Sequence, residues 1–259
     1  MNFIDELFNL KGRVAAVIGG GGVLGGAMAH GLAQAGAQVA VIDLSLENAD
    51  RMANSIREKG GQAIALDVDA TSKEKMAQAE QRIRSELGTV SILINAPGIN
   101  SSTPIFDITE EEWDRILRVN LKSMVFACQI FARQMIADKA KGSIINISSA
   151  SSGPPLSRVF TYGISKAGVN NMTQFLAREW ALQGIRVNAI APGFFPAEQN
   201  RKILTPERTA DIMRHTPMNR FGDADELVGT VIWLAAENAS SFVTGAIIRV
   251  DGGFTAMTI

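Results

Sequence analysis

The chain has 259 residues, 46% hydrophobic and 20% charged, and its 25 Lys and Arg against 26 Asp and Glu leave a formal net charge of −1. That balance excludes a polycationic nucleic-acid binder held by phosphate contacts, and the hydrophobic content excludes an intrinsically disordered chain. One cysteine excludes an intrachain disulfide and a cysteine-rich zinc site, and the two histidines, His30 and His215, form no spaced ligand set, so no metal is expected.

The longest stretch without a polar side chain, residues 14–29, holds six glycines and falls short of the roughly 20 apolar residues of a membrane helix. Met1-Asn2-Phe3-Ile4-Asp5-Glu6 lacks the basic start and apolar run of a secretory signal. The expectation is a soluble, cytoplasmic protein whose partner is a small molecule, with neither nucleic acid nor membrane involved.

Strands are predicted at 13–18, 38–42, 62–66, 90–94, 143–147, 186–190 and 246–250. Most are runs of Val, Ile and Leu with little alternation, as parallel strands covered on both faces require. Longer helical segments lie between them, and Thr71 with Glu74, Thr109 with Glu112 and Asp223 with Glu226 have the spacing of capping boxes or close variants. Alternating strands and helices predict an α/β fold: a doubly wound, Rossmann-like parallel sheet of about seven strands with helices on both faces. No repeat or linker interrupts it, so residues 1–259 are read as one domain, with a substrate loop at about 193–218.

The first predicted strand runs into Gly19-Gly20-Gly21-Gly22-Val23-Leu24-Gly25, which opens a helix. Glycines there let bare backbone amides approach a pyrophosphate at the positive end of the helix, although tight turns use the same residues. The second strand ends at Asp43, 18 residues beyond Gly25. An acid about 20 residues on can accept the ribose hydroxyls of an adenosine and repel a 2′-phosphate. Neither the glycine loop nor Leu44 offers a cation for that phosphate, so NAD is expected over NADP. The other reading of Asp43 is a solvated turn residue before a helix.

The single tyrosine lies in Tyr162-Gly163-Ile164-Ser165-Lys166. At i and i+4 on a helix, Tyr162 and Lys166 share a face, and a nearby ammonium favours the phenolate. Ser149, 13 residues earlier, follows an apolar strand, where its hydroxyl can hold a substrate oxygen.

With these motifs in place, the whole chain resembles the short-chain dehydrogenase/reductase family, whose members are Rossmann-fold enzymes that reduce carbonyls or oxidise alcohols with a nicotinamide cofactor. The resemblance rests on residues 19–25, Asp43, Asp67-Val68, Asn95-Ala96-Pro97-Gly98, Val119-Asn120-Leu121, Ser149, Tyr162 with Lys166, Pro192-Gly193 and Asp251-Gly252-Gly253. It implies that Tyr162 exchanges a proton with the substrate oxygen, that Lys166 tunes Tyr162 and binds the nicotinamide ribose, and that Ser149 polarises the carbonyl. Asn120 would kink the helix predicted at 109–137 and hold a proton-relaying water. Gly19, Gly22, Val23, Leu24, Gly25, Asp43, Leu44, Asp67, Val68, Asn95, Ala96, Pro97, Pro192, Gly193 and Phe195 would line the cofactor. The family's threonine before the first glycine is Ile18 here, its middle glycine is Val23, and Pro97 removes a backbone donor.

The resemblance is strongest to sugar-acid members of the fructuronate reductase or D-mannonate oxidoreductase type. For such a substrate, Arg201 or Arg158 would hold the carboxylate, with Asn100, Ser151, Gln199 and Asn200 reading hydroxyls; the alternative is a polar lid facing solvent. Two other functions stay open: a 3-ketoacyl-carrier-protein-type reductase, which Asp43 disfavours, and a catalytically idle NAD-sensing protein, which the intact quartet of Asn120, Ser149, Tyr162 and Lys166 disfavours. The family also implies a homotetramer assembled through helices at about 109–137 and 161–183.

Overall fold

The computed structural model describes residues 2–196 and 205–257. Seven strands, β1 (Val14–Ile18), β2 (Gln38–Asp43), β3 (Gln62–Asp67), β4 (Val90–Asn95), β5 (Gly142–Ile147), β6 (Ile185–Pro192) and β7 (Ile247–Val250), form one sheet in the order β3-β2-β1-β4-β5-β6-β7. Every pairing is parallel. All seven predicted strands are present, each with its ends within two residues of the predicted ones.

The unbroken apolar runs arise because both faces are covered: every residue of β1, β4, β5 and β6 is buried. Alternate side chains feed two cores, Ala15 and Val17 on one face and Val14, Ala16 and Ile18 on the other. After a short helix α1 (Phe3–Leu7), the first core takes Met28 and Leu32 from α2 (Val23–Gln34), Ala53 and Ile56 from α3 (Leu46–Glu58) and Leu234 from a later helix. The second takes Met76 and Ile83 from α4 (Lys73–Glu86) and Phe131 from a helix after β4. Because β1 lies between β2 and β4, the chain leaves it in opposite directions on its two sides. That reversal opens a crevice at the carboxyl ends of β1 and β4.

Three local readings change. The helix expected at 109–137 is α5 (Glu110–Leu117), a π-helical segment Arg118–Lys122, and α6 (Ser123–Ala137), with Asn120 fully buried in the wide turn. Thr109 accepts from the Glu112 amide, and Asp223 and Glu226 make a reciprocal box, but Thr71 caps nothing. Ser72 accepts from the Lys75 amide instead, while Thr71 bonds Asp69. Finally, the loop expected at 193–218 contains a helix, α8 (Pro206–His215); α7 (Phe160–Trp180) precedes it and α9 (Val228–Ala235) and α10 (Glu237–Ser240) follow. Among the described residues no helix is long and apolar enough to cross a membrane, and no three His, Cys, Asp or Glu side chains group as metal ligands.

Candidate active site

The glycine turn is bound to its surroundings from both sides. The amides of Gly19 and Gly20 donate to the Ile42 carbonyl of β2 at 2.8 and 3.0 Å, and Gly19 adopts φ +75°. A Cβ on Gly25 would stand 2.1 Å from the Gly19 carbonyl oxygen, so only glycine lets α2 start this close to the strand. Gly22 occupies the N-cap and supplies no side chain to the first amides of α2. That leaves the positive helix end open to an anion, as a pyrophosphate requires.

Asp43 is drawn onto this turn. One carboxylate oxygen accepts from the Gly21 amide at 3.0 Å and the other from the Ser45 amide at 3.1 Å. Each oxygen keeps a lone pair for a hydroxyl donor. The Val68 amide donates to the Asp43 carbonyl, and Asp67 pairs with Asp43 in register, which places both acidic residues at neighbouring strand ends. Val23 and Leu44 are exposed beside them. These features fit an adenosine and its phosphates. Sequence reasoning missed Arg51, whose guanidinium on α3 donates to the Gly21 carbonyl at 3.3 Å.

Under the crevice, the Asn95 amide nitrogen donates to Asn146 Oδ1 at 2.8 Å, and Asn146 in turn donates to Thr173 on α7. This buried chain fixes β4 and β5 against that helix. Cys128 lies in the same cluster, its thiol pushed up by burial to about 12 and therefore inert. The Ala96 amide donates to Ile18, which closes Ala96 and Pro97 over the end of β1. Gly193, after Pro192, sits so close to Asp251 that a Cβ would lie 2.7 Å from its Cα, and Phe195 is buried against Gly222.

Tyr162 and Lys166 share the inner face of α7. The buried Lys166 amine donates to the Ile147 carbonyl at 2.7 Å and lies 5.6 Å from the centre of the Tyr162 ring. Burial pushes that amine down to about 7. The phenol is pushed above its ordinary range by burial and pulled back by its bond to the Ser149 hydroxyl. Ser149 also accepts from the hydroxyl and amide of Ser151, so Ser151 faces Ser149.

Asn120 uses its whole amide. Its oxygen accepts from the Ile99 amide at 2.8 Å, and its nitrogen donates to the Ile99 carbonyl at 2.9 Å and to Ser165 at 3.0 Å. The Ser165 hydroxyl donates a hydrogen bond to the Tyr162 backbone carbonyl at 2.7 Å. The π turn thus clamps the loop after β4 to α7.

A pocket opens over Ser149 and Tyr162, walled by Asn100, Ser151, Leu156, Val159, Arg208 and Phe221 among others. Asn100 and Ser151 are where substrate readers were expected. Arg158 is exposed, has φ +66° and does not line the pocket. Gln199, Asn200 and Arg201 lie outside the described residues. The basic residue that does reach the pocket is Arg208 on α8, which sequence reasoning missed although Thr205-Pro206 is a helix-start signal. A larger cavity of about 600 Å³ lies beyond Phe194 and Phe195, but none of the four predicted catalytic residues lines it.

Residues 22–255 match the family described as enoyl-(acyl carrier protein) reductase. A 2-dehydro-3-deoxy-D-gluconate 5-dehydrogenase of Escherichia coli (strain K12) is 34% identical over 254 residues, 98% of this chain and 99% of that one. The chain belongs to the short-chain dehydrogenase/reductase family and is an oxidoreductase. The structure of a gluconate 5-dehydrogenase from Burkholderia cenocepacia J2315 with NADP and tartrate superposes with a TM-score of 0.94 at 34% identity, over 98% of this chain and 100% of that one. A candidate D-mannonate oxidoreductase from Haemophilus influenza with bound NAD gives 0.90 at 34% identity, over 98% and 99%.

Proposed function

We propose that this enzyme interconverts a secondary alcohol and a ketone on a sugar acid, using NAD. The observation that carries the reading is the pair of hydroxyl side chains, Ser149 and Tyr162, that line one pocket. A substrate oxygen placed between them meets one donor that polarises it and one that exchanges its proton. When bound, the nicotinamide supplies the hydride acceptor or donor. Lys166, held by the Ile147 carbonyl, stands beside the phenol ring, and Asn120 keeps the loop after β4 against α7.

The sugar-acid class is supported by relatives named for gluconate, its 2-dehydro-3-deoxy derivative and mannonate. NAD is favoured because a 2′-phosphate would meet the Asp43 carboxylate at the corner where Gly21 holds it. Reduction of an acyl ketone is the second reading, favoured by the family description and by the apolar Leu156, Val159 and Phe221 walls. A steady-state screen of sugar acids and acyl ketones with NAD(H) and NADP(H) separates them. Turnover of a sugar acid with NAD is expected, and turnover confined to acyl ketones with NADPH overturns the proposal. A homotetramer is supported by exposed Phe160, Ile164 and Phe175 on α7, and light scattering is expected to give four chains per particle.

A further inference from the structure

Arg208 is the only charged side chain among the described residues that line the pocket over Ser149 and Tyr162. It is the third residue of α8, its amide held by the Thr205 cap. Its guanidinium reaches across the pocket to the segment between β5 and α7, where it donates to the Ser157 hydroxyl at 3.3 Å and the Ser157 carbonyl at 3.2 Å. Both acceptors are neutral, and no carboxylate among the described residues pairs with it. A guanidinium is always charged and presents five donors, so two bonds to Ser157 leave donors and a full positive charge unanswered. The rest of the wall is hydroxyl, amide and hydrocarbon.

We infer that Arg208 binds the carboxylate of the substrate and makes this enzyme select sugar acids over neutral polyols. The inference rests on the sugar-acid reading above and assigns its anion-recognising residue. A carboxylate bound bidentately by Arg208 lies at the mouth of the pocket, with the carbon chain running inward to Ser149 and Tyr162. Specificity then comes from a charge that a polyol leaves unpaired. Because Arg208 also holds Ser157, the same contact joins α8 to the segment before α7 over the bound substrate.

The test measures kcat/KM for D-gluconate and D-mannonate against D-glucitol and D-mannitol, with NAD, in the wild type and in Arg208→Gln. The acid-to-polyol ratio is expected to fall about 10-fold to 100-fold, carried by KM for the acids, the size of a lost hydrogen-bonded charge contact. NADH binding, read by fluorescence, is expected to persist. A parallel measurement needs no variant: phenylglyoxal modification of Arg208, followed by mass spectrometry, is expected to be slowed by the sugar acid and not by the polyol. An unchanged ratio, or equal modification with and without the acid, overturns the assignment of Arg208 and leaves the sugar-acid reading standing. A wild type that oxidises neither acid overturns both.

Discussion

The Ser151 hydroxyl donates to Ser149 Oγ at 3.0 Å, and the Ser151 amide reaches the same oxygen at 3.2 Å. With two bonds accepted from Ser151, Ser149 keeps its own proton for the pocket that it lines with Tyr162. Ser151, expected to read a substrate hydroxyl, is bonded to Ser149, and in the proposed reaction that bond would aim the Ser149 hydroxyl. Ser151→Ala is expected to lower kcat about tenfold, near 1.4 kcal/mol in the barrier, with KM for substrate little changed. Ser149→Ala removes the donor itself and is expected to cost about 100-fold or more. A Ser151→Ala variant that raises KM and spares kcat would return Ser151 to substrate binding.

Tyr162 makes the proton transfer in the proposed reaction, and no other phenol exists in the chain. Tyr162→Phe keeps the ring that packs beside Lys166 and removes only the hydroxyl. Turnover is expected to drop at least about 100-fold while NADH fluorescence titrations give an affinity near that of the wild type. Full turnover in this variant would place the acid elsewhere.

Two glycines of the turn are expected to respond differently. On Gly25 a methyl group collides with the Gly19 carbonyl, whereas on Gly22 the nearest atom is 3.4 Å away. Gly25→Ala should destabilise the fold by about 1–3 kcal/mol, as overpacking does, and lower Tm by several degrees. Gly22→Ala should leave Tm almost unmoved and weaken dinucleotide binding, because its methyl group stands where a phosphate meets the helix end. Calorimetry and NADH titration on both variants separate the packing glycine from the binding one.

What the sequence made legible follows from how locally each feature is encoded. Parallel strands buried on both faces are mostly apolar runs rich in Val, Ile and Leu, so β1, β4 and β5 stand out without any partner in view. Tyr162 and Lys166 are one helical turn apart, and their shared face is a property of the helix alone. The π segment at Asn120 left no periodic trace, because it is imposed by bonds to Ile99, 21 residues away. Thr71 and Ser72 are adjacent hydroxyls, and the backbone chose the one that spacing to Glu74 did not favour. Arg208 and Arg51 reach their sites only after α8 and α3 are packed, so no local pattern announces them.

If the proposed preference for NAD holds, Asp43 and Arg51 are expected to oppose each other in cofactor choice. Asp43 is anchored by the Gly21 amide and Arg51 by the Gly21 carbonyl, so a carboxylate and a guanidinium flank the same residue. Asp43→Ser removes the anion and leaves the cation. Its kcat/KM with NAD is expected to fall about 10-fold to 100-fold, the size of lost hydrogen bonds to a charged group, while that with NADP rises. The double variant Asp43→Ser, Arg51→Ala is expected to lose the gain with NADP. A single variant that keeps its original ratio of NAD to NADP efficiency would show that neither residue sets the preference.

Lys166 makes stability depend on pH in a definite direction. Its amine titrates near 7 in the folded chain because burial disfavours the charge, and near 10.4 when unfolded. Between those values the unfolded chain holds a proton that the folded chain lacks, so raising the pH favours folding at this site. Below about 7 both states are protonated, and the cost of burying the charge is present in full and constant. Lys166→Met keeps the volume and removes the titration, at the loss of the bond to Ile147, which shifts stability by the same amount at every pH. The stability of the wild type minus that of the variant, from urea unfolding of the free enzyme, is therefore expected to be flat from pH 6 to 7 and to climb toward pH 10. A difference that stays level or falls across that window would mean that the amine remains charged in the folded protein.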